Sequence, residues 1–172
     1  MKYRDQRVAV LVDVQNMYHS ARNLYGARVN FAEILKTAVS GRKLVRAVAY
    51  VVRSDTPEEK AFFDALEKAG FEIKVKDLQI FYGGLKKADW DVGLSVDAIR
   101  FASFAEALVL VSGDGDFHPL LEYLKNQGRQ VEVMAFSKTA SKFLKDSADE
   151  FVDLSASPQK YMMKIKGARS SS

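Results

Sequence analysis

The chain has 172 residues, no cysteine and two histidines, His19 and His118, which excludes disulfides, thiol catalysis and cysteine-based zinc sites and leaves oxygen as the donor for any metal. The length fits one domain with a core of its own. The net charge of +4 is matched by four bases after Ser155 (Lys160, Lys164, Lys166 and Arg169) that no acid accompanies, so the body up to residue 154 is neutral; the excess either aids solubility or favours a polyanion.

In chain order, residues 7–13 read as an apolar strand and 16–26 as a helix. Asn30 is placed to cap a further helix that runs to about Ser40 and stops at Gly41, and residues 44–52 form a long β-rich run. Thr56-Pro57-Glu58-Glu59 supplies a cap, a proline at the first helical position and first-turn acids for a helix over 57–69, closed by Gly70. A strand over 71–75 leads to the loop 79–87, then a helix over 91–104, a strand over 107–111, a helix over 117–126 closed by Gly128, a strand over 131–136 and a short helix over 138–145. Strands separated by such helices form parallel crossovers, and the unbroken apolar character of the first and fourth strands says that both faces are covered. The expectation is a three-layer α/β/α sandwich around a central, mainly parallel five-stranded sheet, with a domain over 1–154 and a basic, disordered tail over 155–172. The polar start Met1–Arg7 is not a secretory leader, and no apolar run reaches the ~18–20 residues of a membrane span, so the expected location is the cytoplasm.

The chemistry is concentrated at strand ends. Asp13 closes the apolar run Val8–Val12, an expensive place for an unpaired charge. Asp114 and Asp116 lie in Ser112-Gly113-Asp114-Gly115-Asp116-Phe117, directly after the strand 107–111. Each has a plain structural reading too, Asp114 as a turn residue and Asp116 or Asp13 as a helix cap. Together they would crowd one pocket at the carboxyl edge of an open sheet, where ligands bind. Asp91 opens a helix and is a third source of charge. Asp97 lies about 9 Å further along that helix and ~120° around it, too far to share one ion easily, and is expected to play a supporting part. Crowded carboxylates call for a proton or a hard cation, Mg2+ or Mn2+, whose common role is to handle phosphates. Asn16, Arg53 and Ser112 are further polar candidates for substrate contact, and Ser95 a weaker one. Phe81-Tyr82-Gly83-Gly84-Leu85-Lys86-Lys87 combines rings that can stack unpaired bases with Lys86 and Lys87 for phosphates, although a loop packing its own aromatics would look alike. Asp89 reads as loop charge, and both histidines as peripheral.

Leu11-Val12-Asp13-Val14-Gln15-Asn16, Lys87 to Ala98 and Val111-Ser112-Gly113-Asp114-Gly115-Asp116-Phe117 together resemble the NYN domain in its LabA-like branch, related to the PIN-like nucleases. The resemblance covers about residues 7–153. It implies a parallel sheet with a site of about four aspartates that binds Mg2+ or Mn2+ and hydrolyses RNA phosphodiesters. By position it makes Asp13, Asp91, Asp114 and Asp116 the catalytic, metal-binding acids, with Asn16 and Asp97 in support. Trp90 departs from the smaller apolar residue often found in relatives, and Lys86-Lys87-Ala88 follows their Lys-Gly pattern loosely. A haloacid-dehalogenase-like reading fails because Gln15 stands where a second acid is needed, and a receiver-domain reading because only Asp77 follows the third strand. The expectation is thus a metal-dependent ribonuclease acting on single-stranded RNA, the alternative a non-catalytic RNA-binding or regulatory module using the same pocket. A homodimer is compatible with so small a domain, although no residue specifies one.

Overall fold

The computed structural model describes residues 2–80, 83 and 86–164. Its core is a six-stranded parallel sheet in the order β4-β3-β1-β7-β8-β9. In chain order the strands are β1 (Arg7–Asp13), β2 (Ala27–Val29), β3 (Lys43–Val52), β4 (Glu72–Lys76), β5 (Gln79–Ile80), β6 (Lys86–Lys87), β7 (Ala107–Val111), β8 (Gln130–Ala135), β9 (Glu150–Asp153) and β10 (Met162–Lys164). The helices are α1 (Val14–Tyr25), α2 (Phe31–Val39), α3 (Glu59–Ala69), α4 (Asp91–Phe101), α5 (His118–Asn126), α6 (Lys142–Ser147) and α7 (Pro158–Tyr161).

Alternation along the strands builds two cores. Val8, Val10, Val12, Val109 and Val111 pack with Met17 and Ala21 of α1, Ile34 and Leu35 of α2 and Leu66 of α3. The intervening Ala9, Leu11, Leu108 and Leu110 pack with Leu94 and Ala98 of α4, Leu121 and Leu124 of α5 and Leu144 of α6. Successive side chains of a strand point to opposite faces, so β1 and β7 must be apolar throughout. The chain leaves β1 towards β3 and β4 on one side, then returns through α4 to β7 on the other. The crevice between the carboxyl ends of β1 and β7 is therefore the switch point of the sheet.

The three-layer parallel fold agrees with the sequence reading, with two corrections. The sheet has a sixth strand, β9, which the pattern concealed because Glu150–Asp153 is a short edge strand of mixed polarity, only half-buried along its length. The fold also continues past residue 154: β10 pairs antiparallel with β2, and Tyr161 is buried with its hydroxyl 2.8 Å from Thr37 Oγ1. Only residues 165–172 of the expected tail lie outside the described part. Smaller shifts occur at helix starts. Helix α3 begins at Glu59 rather than residue 57, and Glu59 turns its carboxylate back to accept from the Ser54 amide and hydroxyl.

At the opposite, amino-terminal edge of the sheet, Arg42 and Glu132 form a bidentate pair at 2.7 and 3.0 Å, both side chains almost wholly buried. Arg42 also donates to the carbonyls of Ala38 and Val39, the last turn of α2, so this pair ties α2 to β8. Removing one partner strands a buried charge, which typically costs ~3–5 kcal/mol, whereas replacing both with packed apolar residues is often neutral. Denaturant unfolding should accordingly show Glu132→Ala losing several times more stability than the double variant Arg42→Met with Glu132→Leu; equal losses would refute this account of the pair.

Candidate metal centre

Three of the expected acids meet at the switch point. Asp13 ends β1, Asp114 follows β7 by three residues and Asp91 opens α4; one carboxylate oxygen from each lies within 4.8 Å of the others. They line a cavity of about 310 Å3 that Asp89 also borders. An all-oxygen donor set of this charge matches a hard divalent cation such as Mg2+ or Mn2+.

Each acid is held by its own local structure. Both oxygens of Asp13 are engaged: Oδ1 accepts from the Asn16 amide at 3.2 Å as the cap of α1, and Oδ2 accepts from the Ser112 hydroxyl at 3.1 Å. The Asp114 amide donates to Ser112 Oγ at 3.2 Å, and Asp114 Oδ1 accepts from the Asp116 amide at 2.9 Å. Asn16 Oδ1 accepts from the Gly113 amide at 3.0 Å, which closes a brace between α1 and the turn after β7. Gly113 and Gly115 do not take the left-handed conformation. What Gly115 supplies is room, because a Cβ there would lie 2.8 Å from Ser141 Oγ.

Asp91 is positioned by Trp90. The indole N–H donates to the Val51 carbonyl at 2.9 Å near the end of β3, and the ring stands edge-on to Tyr50 at 5.3 Å. Gly93, in the first turn of α4, leaves the space this ring fills, since a Cβ there would approach Trp90 Cε3 to 2.6 Å. The tryptophan that departs from the family pattern is thus an anchor for Asp91. Asp97 lies outside the cluster. Its Oδ2 accepts from Tyr50 Oη at 2.8 Å and from Lys74 Nζ at 2.6 Å, and Tyr50 is the ring that meets Trp90. Burial alone would push Asp97 up, but the Lys74 and Tyr50 hydrogen bonds pull it below the usual carboxylate range.

Several other expected residues sit differently. Asp116 is exposed and outside the three-oxygen cluster, although its charge still bears on Asp91. Ser112 is fully buried, which corrects its expected contact with substrate to a bridge between Asp13 and Asp114. Arg53 pairs with Asp77 at 3.1 Å and does not line the cavity. The side chains of Lys86 and Lys87, and the residues Phe81, Tyr82, Gly84 and Leu85, lie outside the described part. Sequence reasoning undervalued Asp89, which lines the cavity and accepts from the Asp91 amide at 3.2 Å, and His19, which lines it from α1. The signal for His19 was its place three residues after Asn16, nearly one helical turn along the same face.

Desolvation comes first in raising Asp91, followed by the charges of Asp114, Asp89, Asp13 and Asp116, and together they push it up to about 6. Burial likewise raises Asp13, against the hydrogen bonds from Asn16 and Ser112. The folded protein thus keeps a proton on Asp91 that the unfolded chain, near 3.8, releases. In the metal-free protein, the contribution of Asp91 to stability is present below about pH 4 and is lost as pH rises through about 6. Asp91→Asn should stabilise that form at pH 7 by ~1 kcal/mol, after allowance for solvent screening at a partly exposed group. Carboxyl NMR titration and pH-dependent unfolding measure both; a midpoint near 4 would overturn the crowding argument. Gly93→Ala should cost ~1–3 kcal/mol by overpacking against Trp90 and weaken Mn2+ binding measured by calorimetry.

The NYN domain profile matches residues 7–155 of the chain. Low amplitude and bright protein LabA of Synechococcus elongatus is 25% identical over 169 residues, which cover 90% of this chain and 87% of that protein. The crystal structure of a Vibrio parahaemolyticus protein of unknown function superposes with a TM-score of 0.86 at 32% identity, covering 95% of this chain and 99% of the other. Family profile, full-length relative and fold agree across the body that carries the three aspartates, and the chain belongs to the NYN domain family.

Proposed function

We propose that this protein is a metal-dependent ribonuclease that hydrolyses phosphodiester bonds of RNA, with Asp13, Asp91 and Asp114 as the residues that hold Mg2+ or Mn2+. The observation that supports this most directly is the convergence of three carboxylate oxygens within 4.8 Å at the switch point of the sheet. Asp91, partly protonated near neutral pH without a cation, is the acid whose charge state a cation would change most. A bound divalent ion would lower the pKa of a water and offset charge on the phosphate oxygens.

The chain's own groups set the rest. Asn16 and Ser112 fix Asp13 and the turn that carries Asp114, and Trp90 fixes Asp91, so the three acids are held in place before substrate arrives. Asp13 or Asp114 orients the attacking water. Asp116, exposed beside the cluster, remains a candidate fourth acid at its rim. Lys86 and Lys87, five and four residues before Asp91 in the sequence, are the bases that the sequence offers to phosphates. No cysteine is available as a nucleophile, in keeping with direct attack by water. Among the described residues, no helix is long and apolar enough to cross a membrane.

The test is cleavage of a labelled single-stranded RNA with Mn2+, with Mg2+ and with EDTA. Cutting should require the metal and fall by ~100-fold or more in Asp13→Asn and in Asp114→Asn, both checked for folding. Retained RNA binding without any cutting by the parent would replace the nuclease with a binding module.

A further inference from the structure

The cavity is larger than the metal cluster. Beyond Asp13, Asp91 and Asp114 it continues along α1, where its walls are His19, Ser20, Asn23, Leu24 and Thr139. The two ends differ in chemistry. One is lined by carboxylates, the other by an imidazole, an amide, two hydroxyls and one leucine, with no acid.

The wall is a whole helix of this kind. Helix α1, Val-Gln-Asn-Met-Tyr-His-Ser-Ala-Arg-Asn-Leu-Tyr, has no Asp or Glu in 12 residues although it starts directly after Asp13. Its buried side is Val14, Met17, Ser20 and Ala21, which leaves Tyr18, His19, Arg22 and Asn23 exposed. Arg22 donates to Tyr18 Oη at 2.6 Å with its guanidinium 5.9 Å from the ring centroid, and Tyr18 stands edge-on to His19 at 5.4 Å. A cation, two rings and an amide are therefore gathered on one exposed face. The opposite wall is tied to it, because Thr139 Oγ1 donates to Ser20 Oγ at 3.2 Å and the Ser141 amide donates to the Gly113 carbonyl at 3.0 Å. The groove is thus continuous with the turn that carries Asp114.

Resting on the nuclease reading, we infer that this groove along α1 is the subsite for one unpaired nucleotide next to the scissile phosphate, with His19 and Asn23 as its contacts and Tyr18 and Arg22 following the chain outward. At about 310 Å3 the whole cavity is at the small end of ligand pockets, ~300–1,000 Å3, which suits a single nucleotide and not a duplex. Rings and guanidinium planes hold unpaired bases without strict sequence readout. An acid-free wall also lets a phosphate chain pass a cluster of aspartates without further like-charge repulsion.

The experiment measures binding of a labelled single-stranded RNA by anisotropy, with Ca2+ in place of Mg2+, for the parent, for His19→Ala combined with Asn23→Ala, and for Tyr123→Ala as an exposed aromatic control on α5. Metal binding is followed separately by calorimetry. The double variant should bind RNA about tenfold more weakly or worse, ~1.4 kcal/mol, with Mn2+ affinity and the control unchanged, and the parent should prefer the single strand to a duplex of the same sequence. Affinity within twofold of the parent overturns the groove and leaves the nuclease reading intact, as does a parent that cuts but prefers duplex. A parent that never cuts overturns the nuclease reading and with it the placement beside a scissile phosphate, while loss of binding by the double variant still upholds the groove as a site for an unpaired nucleotide. Should the double variant lose metal binding as well, His19→Gln and Asn23→Ser are compared singly by the same criterion.

Discussion

Mutual repulsion among aspartates at the ends of two buried strands is the constraint around which this molecule is arranged. Asp13 and Asp114 sit where the sheet opens, Asp91 and Asp89 arrive from the α4 side, and Asp91 answers by holding its proton to about pH 6. Such crowding lowers stability unless something compensates. A divalent cation among these carboxylates would relieve the repulsion.

Holding the acids together takes a specific polar frame. Three hydrogen bonds, Ser112 to Asp13, the Asp114 amide to Ser112 and the Gly113 amide to Asn16, join the ends of β1 and β7 and the first turn of α1. A separate anchor, Trp90 on the Val51 carbonyl, brings in α4 from the far side of β3. The frame uses neutral donors and backbone amides, so it fixes the carboxylates without neutralising them. The other edge of the sheet does the reverse. There Glu132 is buried and matched by Arg42 through two hydrogen bonds, and the charge is spent on holding α2 to β8. One protein thus shows two settings of a carboxylate near a parallel sheet, one paired with a guanidinium and one crowded against other carboxylates.

Much of this was legible from residues alone. The apolar runs of β1 and β7 and the glycine and proline punctuation carry the layer architecture, and the acids at strand ends and at the start of α4 mark Asp13, Asp91, Asp114 and Asp116 as candidates, because hydrophobic period and turn chemistry are local properties. The edge strand β9 and the β2–β10 pair were not legible, since short, half-polar strands derive their stability from neighbours distant in sequence. Glu132, an acid inside an apolar strand, could have been flagged as needing a partner, but nothing local names Arg42.

What the sequence by itself determined is the kind of atoms in the site: oxygen donors, excess negative charge at the carboxyl ends of strands, and no sulfur. Only the tertiary structure decided which of those oxygens share a point. It gathered Asp13, Asp91 and Asp114, left Asp116 at the rim, turned Asp97 towards Lys74 and Tyr50, closed Ser112 off from solvent and brought His19 and Asn23 to the cavity wall. The reason is geometric. Spacing along the chain says which face of an element a residue occupies, but the meeting of β1, β7, α1 and α4 depends on the sheet's strand order and on packing contacts that no single segment contains.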